Sequence, residues 1–207
     1  MITVVDYGVG NVRAFLNIYK QLNIPARLGR EAGEIETAEK LILPGVGAFD
    51  WAMGQLEASG LRAALDRAVL ERKVPVLGIC VGMQMMAASS EEGSRAGLGW
   101  IEGQVRRMAD GAGANHFLLP HMGWNDIIPQ EGHALFTDTP SPPRFYFLHS
   151  YYFETGRPGD VIAECDYHGR FACAVGHRNI LGVQFHPEKS HGFGISLLGN
   201  FAEIAPC

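Results

Sequence analysis

An apolar run followed by a cysteine between two glycines constrains this chain more than any other feature. Residues 74–77 read Val-Pro-Val-Leu and predict a buried strand, and residues 83–89 predict a helix. Between them, Cys80 stands two residues from Gly78 and two from Gly82. A sharp strand-to-helix turn projects the residue at its apex from the sheet edge and tolerates only small neighbours. The segment predicts a nucleophile elbow, although a small buried cysteine in a glycine-rich turn gives the same pattern.

The backbone around this elbow is expected to stabilise negative charge. A helix N-terminus favours a thiolate and leaves backbone N–H groups free to bind an oxyanion. The N–H of Val81, directly after the cysteine, is one predicted donor. We expect the other in the turn at residues 44–47, at Gly45 and Val46, because glycine permits close backbone approach and reorientation of a peptide. By itself this segment would be interpreted as a plain turn between a strand and a helix, and only its place opposite the elbow cysteine favours the functional interpretation.

A histidine and a carboxylate that suit this cysteine lie near the end of the chain. Residues 183–189 read Val-Gln-Phe-His-Pro-Glu-Lys. In an extended segment, residues two apart point to the same face, so His186 and Glu188 are expected to be neighbours. A carboxylate beside an imidazole fixes its tautomer, and the imidazole can then activate a thiol and protonate a leaving group. A surface His–Glu pair after a strand would look the same, but its coincidence with the elbow favours a triad with Cys80.

These two segments, at residues 78–84 and 185–188, together resemble the paired signature of the class I, triad-type glutamine amidotransferases. The resemblance extends over nearly the whole chain. It implies an α/β fold with a central, mostly parallel sheet flanked by helices and additional antiparallel strands in the second half. Four further segments resemble the glutaminase subunits of imidazole glycerol phosphate synthase, namely residues 6–11, 43–49, 120–125 and 186–190.

The resemblance also implies a reaction and its residues. Cys80 attacks the side-chain carboxamide of L-glutamine, His186 protonates the departing ammonia, and Glu188 orients His186. No cofactor is implied, and the histidine spacing predicts no metal site. Without the resemblance, Glu92 would be interpreted as a solvated loop carboxylate and His149 as a hydrogen-bonded strand histidine. The residues implied to bind the substrate are Gly47, Gln84, Glu92, His149, Ser150 and Tyr151.

Residues 120–125, Pro-His-Met-Gly-Trp-Asn, contain little that could catalyse a reaction. A tryptophan beside a methionine and an asparagine is typical of an interface anchor, although core packing beneath a loop is the alternative for Trp124. The resemblance implies that this segment faces a (βα)8-barrel cyclase subunit in a heterodimer. Ammonia would pass into that barrel to make imidazole glycerol phosphate and aminoimidazole carboxamide ribotide in histidine biosynthesis. The predicted interface residues are Asn11, Met122, Trp124, Asn125 and Lys189.

Length and composition limit the setting of this chemistry. A chain of 207 residues fits one domain, residues 1–207, with a substantial core. The net charge of −5 disfavours nucleic-acid binding, and no apolar run approaches the length of a membrane span. Met1 leads into a strand-like run without a signal peptide. Because a nucleophilic cysteine must be free, we expect a reducing cytoplasm.

The pattern of apolar residues changes near the middle of the chain. The first half alternates apolar runs with amphipathic stretches, which predicts a parallel sheet with the site at the carboxyl ends of its strands. There we expect strands at 2–6, 41–43 and 74–77 and helices at 12–22, 48–56 and 61–71. The second half predicts strands at 104–108, 117–119, 145–153, 161–164, 171–175 and 181–184, loops at 110–114 and 139–143, and a final helix at 193–204.

Three alternatives to a histidine-pathway glutaminase remain open at this point. Residues 13–17 and 191–194 depart from the pattern of that family and resemble paralogues that supply ammonia to a sugar-modifying amidotransferase for surface polysaccharide. A cysteine hydrolase of the same fold would act on other substrates, which Gln84 and Glu92 argue against. A non-catalytic binding module would not need the complete set of Cys80, His186 and Glu188.

Overall fold

The computed structural model describes residues 1–109 and 119–205. The loop predicted at 110–114, most of the strand predicted at 117–119, and Cys207 lie outside the described residues. The strands and helices, numbered in chain order, are β1 (Ile2–Val5), α1 (Val12–Gln21), β2 (Ala26–Gly29), α2 (Ala32–Glu36), β3 (Lys40–Gly45), α3 (Phe49–Ser59), α4 (Arg62–Asp66), β4 (Val76–Cys80), α5 (Val81–Gln84), β5 (Ser89–Ser90), β6 (Gly103–Arg107), β7 (His121–Pro129), β8 (Arg144–His149), β9 (Tyr151–Thr155), β10 (Val161–Asp166), β11 (Arg170–His177), β12 (Ile180–Val183) and α6 (His191–Glu203).

A nine-stranded mixed sheet forms the centre of the molecule, in the order β2-β1-β3-β4-β12-β11-β10-β7-β8. Neighbours from β2 to β12 are parallel, and neighbours from β12 to β8 are antiparallel. A second sheet contains β5, β6 and β9. The α/β class and the change from parallel to antiparallel strands in the second half are therefore confirmed.

The parallel strands are buried on both faces because helices cover both. Every residue of β1, β4 and β12 is buried, which explains why these strands are apolar without alternation. Helices α1 and α6 are joined where the buried Tyr19 hydroxyl donates a hydrogen bond to the Leu198 carbonyl at 3.2 Å. Within residues 1–109 and 119–205, no helix is both long and apolar enough to cross a membrane.

Three parallel strands bring the distant motifs to one edge of the sheet. Gly45 at the end of β3 is in register with Cys80 at the end of β4, and Val183 at the end of β12 is in register with Ile79. The segments that follow these strands therefore meet outside their carboxyl ends, which is where open α/β sheets bind ligands. This register, rather than proximity in the sequence, assembles the candidate site.

The helix predicted at residues 83–89 is wrong in extent. Helix α5 spans only Val81–Gln84, after which Ala87 N–H bonds to the Gln84 carbonyl in a tighter turn at 3.0 Å. The chain then leaves the helix because Ala88 N–H bonds to the Gly103 carbonyl at 3.1 Å, and β5 pairs in parallel with β6. Pairing between strands thus competes successfully with helical propensity.

The single strand predicted at residues 145–153 is also wrong, because it is two strands in different sheets. Strand β8 pairs with β7 in the large sheet, and β9 pairs with β6 in the small one. The chain bends at Ser150, whose carbonyl accepts a hydrogen bond from Met108 N–H at 2.9 Å. The prediction also missed β2, α2 and the long strand β7, and the helix predicted at 61–71 consists of α4 followed by a π-helical turn at Arg67–Glu71.

The elbow leaves no space for a side chain at Gly82. An added Cβ would lie 2.0 Å from the Leu43 carbonyl oxygen of β3, so one backbone would have to move. We expect Gly82→Ala to lower the free energy of unfolding by about 1–3 kcal/mol, measured by urea denaturation. Gly33→Ala in α2 is the matched control, because its Cβ would meet nothing within 4 Å and alanine favours a helix. Unchanged stability of Gly82→Ala would contradict this account of the elbow.

Candidate active site

Cys80 occupies the apex of the turn between β4 and α5. Its backbone has φ of +54° and ψ of −111°, a conformation that costs energy for a residue other than glycine. The turn is held by close packing on both sides, since a Cβ on Gly78 would lie 2.8 Å from the Gly82 carbonyl oxygen. Strain of this kind persists at positions where the surrounding structure over-determines it and is common at active sites. The geometry is that of a nucleophile elbow.

His186 and Glu188 lie together on the loop that follows β12. The His186 Nδ1 and Glu188 Oε1 atoms are 2.8 Å apart, and both side chains are buried. The loop is fixed to β8 because His186 N–H donates to the Tyr146 carbonyl at 2.9 Å. The Ser190 hydroxyl closes the loop by donating to the His186 carbonyl at 2.6 Å and accepting from Tyr146 N–H at 3.0 Å.

The electrostatic environment of His186 favours its charged form. Burial alone would lower the pKa of His186, but hydrogen bonds with Cys80 and Glu188 outweigh it and raise that pKa to about 9. At neutral pH the imidazole is therefore protonated, with one N–H donated to Glu188 and the other nitrogen directed to Cys80. A protonated imidazole in this position can deliver a proton to a leaving group.

A pocket of about 410 Å³ opens beside Cys80. This volume suits a small molecule. The Cys80 and His186 side chains line the pocket, and Glu188 lies behind His186. All of the residues implied to bind the substrate also line it: Gly47, Gln84, Glu92, His149, Ser150 and Tyr151. The structure therefore brings together residues from both halves of the chain, although their roles stay predictions.

The predicted oxyanion residues surround the cysteine. Val46 and Val81 line the pocket, and Gly45 lies beside Cys80 in the register of β3 and β4. The turn that contains Gly45 is held from below, because the buried Tyr7 hydroxyl donates to the Pro44 carbonyl at 2.6 Å. This contact orients the peptide that carries the Gly45 N–H, one of the predicted oxyanion donors.

Two of the predicted substrate residues make structural hydrogen bonds as well. One carboxylate oxygen of Glu92 accepts from Phe49 N–H at 2.8 Å, at the start of α3, where an acid is favourable. Gln84 donates its side-chain amide to the Tyr151 carbonyl at 3.0 Å. Both residues therefore hold the walls of the pocket in place in addition to facing its interior.

His149 has no ring nitrogen left for a ligand. Its Nδ1 atom lies 2.8 Å from the Tyr151 carbonyl, and its Nε2 atom lies 3.0 Å from Nδ1 of His121. A carbonyl only accepts, so Nδ1 of His149 carries the hydrogen and Nε2 accepts from His121. Any contact between His149 and a substrate would therefore involve the ring edge or the backbone. The ring itself fixes the bend that carries Ser150 and Tyr151.

Three of the predicted interface residues lie on β7, and they fall on two different faces of that strand. Met122 and Trp124 are 64% and 44% exposed, which excludes the core-packing alternative for Trp124. Asn125 faces the other way, donating to the Asp166 carbonyl at 3.1 Å with its amide nitrogen 3.4 Å from Nε2 of His121. Asn125 therefore does not share a surface with Trp124.

Three of the five predicted interface residues, Met122, Trp124 and Lys189, lie in one exposed group beside the pocket. Leu148 is in register with Met122, and both Leu148 and Lys189 line the pocket. We call Met122, Trp124, Leu148 and Lys189 the Trp124 surface. Asn11 is exposed and caps α1, where its side-chain oxygen accepts from Ala14 N–H at 3.3 Å.

Two buried residues of the site, Gln184 and His121, were not predicted from the sequence. Gln184 precedes His186 by two residues, so the alternation that relates His186 to Glu188 would have found it. Its amide nitrogen lies 3.7 Å from the Cys80 sulfur. His121 carried no such signal, because its partner His149 is adjacent only through the pairing of β7 with β8. Among the described residues, no cluster of three His, Cys, Asp or Glu side chains could hold a metal ion.

The two neutral histidines make stability depend on pH. Burial lowers the pKa of His149 to about 3 and that of His121 to about 4, whereas in the unfolded chain both titrate near 6.5. The unfolded state therefore binds more protons below about pH 6.5, so stability decreases as the pH falls from there toward 4. We expect His121→Phe to make this decrease shallower, measured by urea unfolding between about pH 4 and 7.

The same variant should be less stable than the wild type at neutral pH. His121→Phe leaves the buried Nε2 atom of His149 without its donor, which costs about 1–3 kcal/mol. His168→Asn, at an exposed histidine with a positive φ that asparagine tolerates, is the control and should keep the wild-type pH dependence. An unchanged pH dependence in His121→Phe would contradict the assigned protonation states.

Comparison with known proteins identifies the family. The family model for class-I glutamine amidotransferases matches residues 3–204. The imidazole glycerol phosphate synthase subunit HisH of Bdellovibrio bacteriovorus is 54% identical over 204 residues, covering 99% of this chain and 100% of that protein. The HisH subunit of Leptospira interrogans is 48% identical over the same shares. The solved structure of a putative GMP synthase subunit from Thermoplasma acidophilum has the same fold, with a TM-score of 0.70, 21% identity and coverage of 97% of this chain and 90% of that one. The chain therefore belongs to the class-I glutamine amidotransferases and, within them, to the family of HisH subunits.

Proposed function

We propose that this chain hydrolyses L-glutamine to glutamate and ammonia with a Cys80–His186–Glu188 triad. One observation carries the proposal: a cysteine at a strained elbow shares a pocket with an imidazole that a buried carboxylate orients. The residues that the family resemblance assigns to glutamine binding line the same pocket. A peptidase or another cysteine hydrolase could use the same triad, but Gln84 and Glu92, which the resemblance assigns to glutamine, argue against it.

The reaction follows from the charges in the site. The Cys80 thiolate attacks the carboxamide carbon of glutamine, and the carbonyl electron pair moves to the oxygen, near Val81 and the turn at Gly45. His186 donates its proton to the nitrogen, the C–N bond breaks, and ammonia leaves. His186, now neutral, removes a proton from water, which hydrolyses the γ-glutamyl thioester and returns the thiolate. Glu188 keeps the imidazole in the orientation that both steps require.

The HisH relatives are named as subunits of imidazole glycerol phosphate synthase. We further propose that the ammonia made by this chain passes to a cyclase subunit of such an enzyme. The Trp124 surface supports this proposal, because it exposes apolar side chains beside the pocket that would otherwise be in water. A (βα)8-barrel partner seated there would receive ammonia before bulk water protonates it. The expected setting is the cytoplasm, where Cys80 stays reduced.

Removal of the sulfur tests the triad. We expect Cys80→Ala to abolish glutamate release while the protein keeps its fold and its affinity for the partner. Cys173→Ala is the matched control, since Cys173 is buried and lies outside the pocket. Glutamate is measured by a coupled dehydrogenase assay. Glutamate release by Cys80→Ala would contradict the mechanism.

Neutralising the carboxylate tests the role of Glu188. Glu188→Gln removes the charge that stabilises the His186 imidazolium, so we expect kcat to fall by about 10²–10⁴-fold. The KM for glutamine should change little, because Glu188 lies behind His186 and does not line the pocket. An increase in KM with unchanged kcat would instead assign Glu188 to binding.

The partner is tested by adding candidate cyclases from the same organism. We expect the histidine-pathway cyclase with its nucleotide substrate to stimulate glutamate release, and Trp124→Ala to weaken this stimulation without changing the basal rate. One residue that departs from the histidine-pathway pattern lies at this surface, because the His191 ring stacks on Trp124 with ring centroids 5.5 Å apart. The surface could therefore suit a different partner. Stimulation by a sugar-modifying amidotransferase, and not by the cyclase, would assign the chain to surface polysaccharide synthesis.

A further inference from the structure

The side-chain amide of Gln184 lies between Cys80 and Gln84, on the side of the cysteine that faces away from the pocket. Gln184 is completely buried and does not line the pocket. Its Nε2 atom lies 3.7 Å from the Cys80 sulfur, and its Oε1 atom lies 3.1 Å from Nε2 of Gln84. A long polar side chain with no access to water is retained only when both of its ends have partners.

The orientation of this amide follows from one acceptor, the Tyr151 carbonyl. A carbonyl cannot donate, so the atom of Gln84 that lies 3.0 Å from it must be the amide nitrogen. The second hydrogen of that nitrogen points to Gln184 and requires an oxygen there. The nitrogen of Gln184 therefore faces the sulfur of Cys80, and the reversed orientation would place two donors against each other.

We infer that Gln184 is a further catalytic residue, which donates an N–H to the Cys80 sulfur and stabilises its thiolate. Its role in turnover rests on the proposed glutaminase reaction. The sulfur carries negative charge before it attacks the carboxamide. It carries negative charge again when the thioester C–S bond breaks and the electron pair returns to sulfur. His186 supplies a positive charge in both states, and Gln184 supplies a neutral donor that does not change its protonation.

Alkylation of Cys80 by iodoacetamide tests this donor without relying on glutamine. The rate is measured as a function of pH, and the rate of Cys80→Ala is subtracted to remove reaction at other cysteines. Hydrogen bonds to charged groups are strong, so we expect Gln184→Met to raise the midpoint of the profile by roughly one pH unit. Gln184→Glu keeps the acceptor for Gln84 but places an acid beside the sulfur, and it should raise the midpoint further.

The two variants and a control separate this role from a structural one. Gln104→Met makes the same change at an amide outside the pocket, which bonds to Glu154 at 3.1 Å, and should leave the midpoint unchanged. If Gln184→Met does not fold, as judged by circular dichroism, Gln184→Leu takes its place, because it also removes the amide without adding a charge and should raise the midpoint by the same amount. We also expect Gln184→Met to lower kcat for glutamine about tenfold with little change in KM.

The outcomes distinguish this inference from the proposed function. Glutaminase activity in the wild type, with a wild-type midpoint in the folded Gln184 variants, would overturn the role of Gln184 and leave the reaction standing. A shifted midpoint in a protein that does not hydrolyse glutamine would retain the donor and overturn the proposed substrate. A loss of stability without a shifted midpoint would make Gln184 structural only.

Discussion

The contact between β3 and the elbow is the constraint on which the rest of the site depends. A Cβ on Gly45 would lie 2.2 Å from the Gly82 backbone nitrogen, and one on Gly82 would lie 2.0 Å from the Leu43 oxygen. Only two glycines allow these backbones to approach so closely. Their approach places the turn after β3 beside Cys80, so that the nucleophile and the expected oxyanion donors belong to one packed unit. The strained backbone of Cys80 is maintained by the same contact.

Buried polar groups then join the two halves of the chain across the pocket. The Tyr151 carbonyl accepts from His149 on one side, at 2.8 Å, and from Gln84 on the other, at 3.0 Å. His121 completes the arrangement behind His149. Each of these groups would be unfavourable in the interior without its partner, which makes the arrangement specific as well as stable. These hydrogen bonds hold His149 and Tyr151, the residues on either side of Ser150, and so they fix the bend of the chain there.

Three histidines at or beside the pocket differ in their charge. His186 is held in its charged form by Glu188 and Cys80, whereas burial keeps His149 and His121 neutral. The difference follows from neighbours, because of these three histidines His186 alone has an acidic partner within hydrogen-bonding distance. One imidazole is therefore charged at neutral pH and can deliver a proton in the reaction, while the other two act as fixed hydrogen-bonding groups.

Local patterns in the sequence were sufficient for the elbow and for the pairing of His186 with Glu188. These features depend on neighbours within a few residues, so alternation and glycine spacing predict them. The antiparallel strands of the second half were implied by the family resemblance, because the direction in which two strands pair is a property of contacts between separate segments. Pairing between distant segments decided the rest: β6 draws residues 89–90 out of the predicted helix, and β7 and β9 divide the predicted strand at Ser150. The same pairing opposes His121 to His149 and turns Asn125 away from Trp124. A sequence determines such contacts only through the whole fold, because the partners of a hydrogen bond across strands are chosen by register and burial.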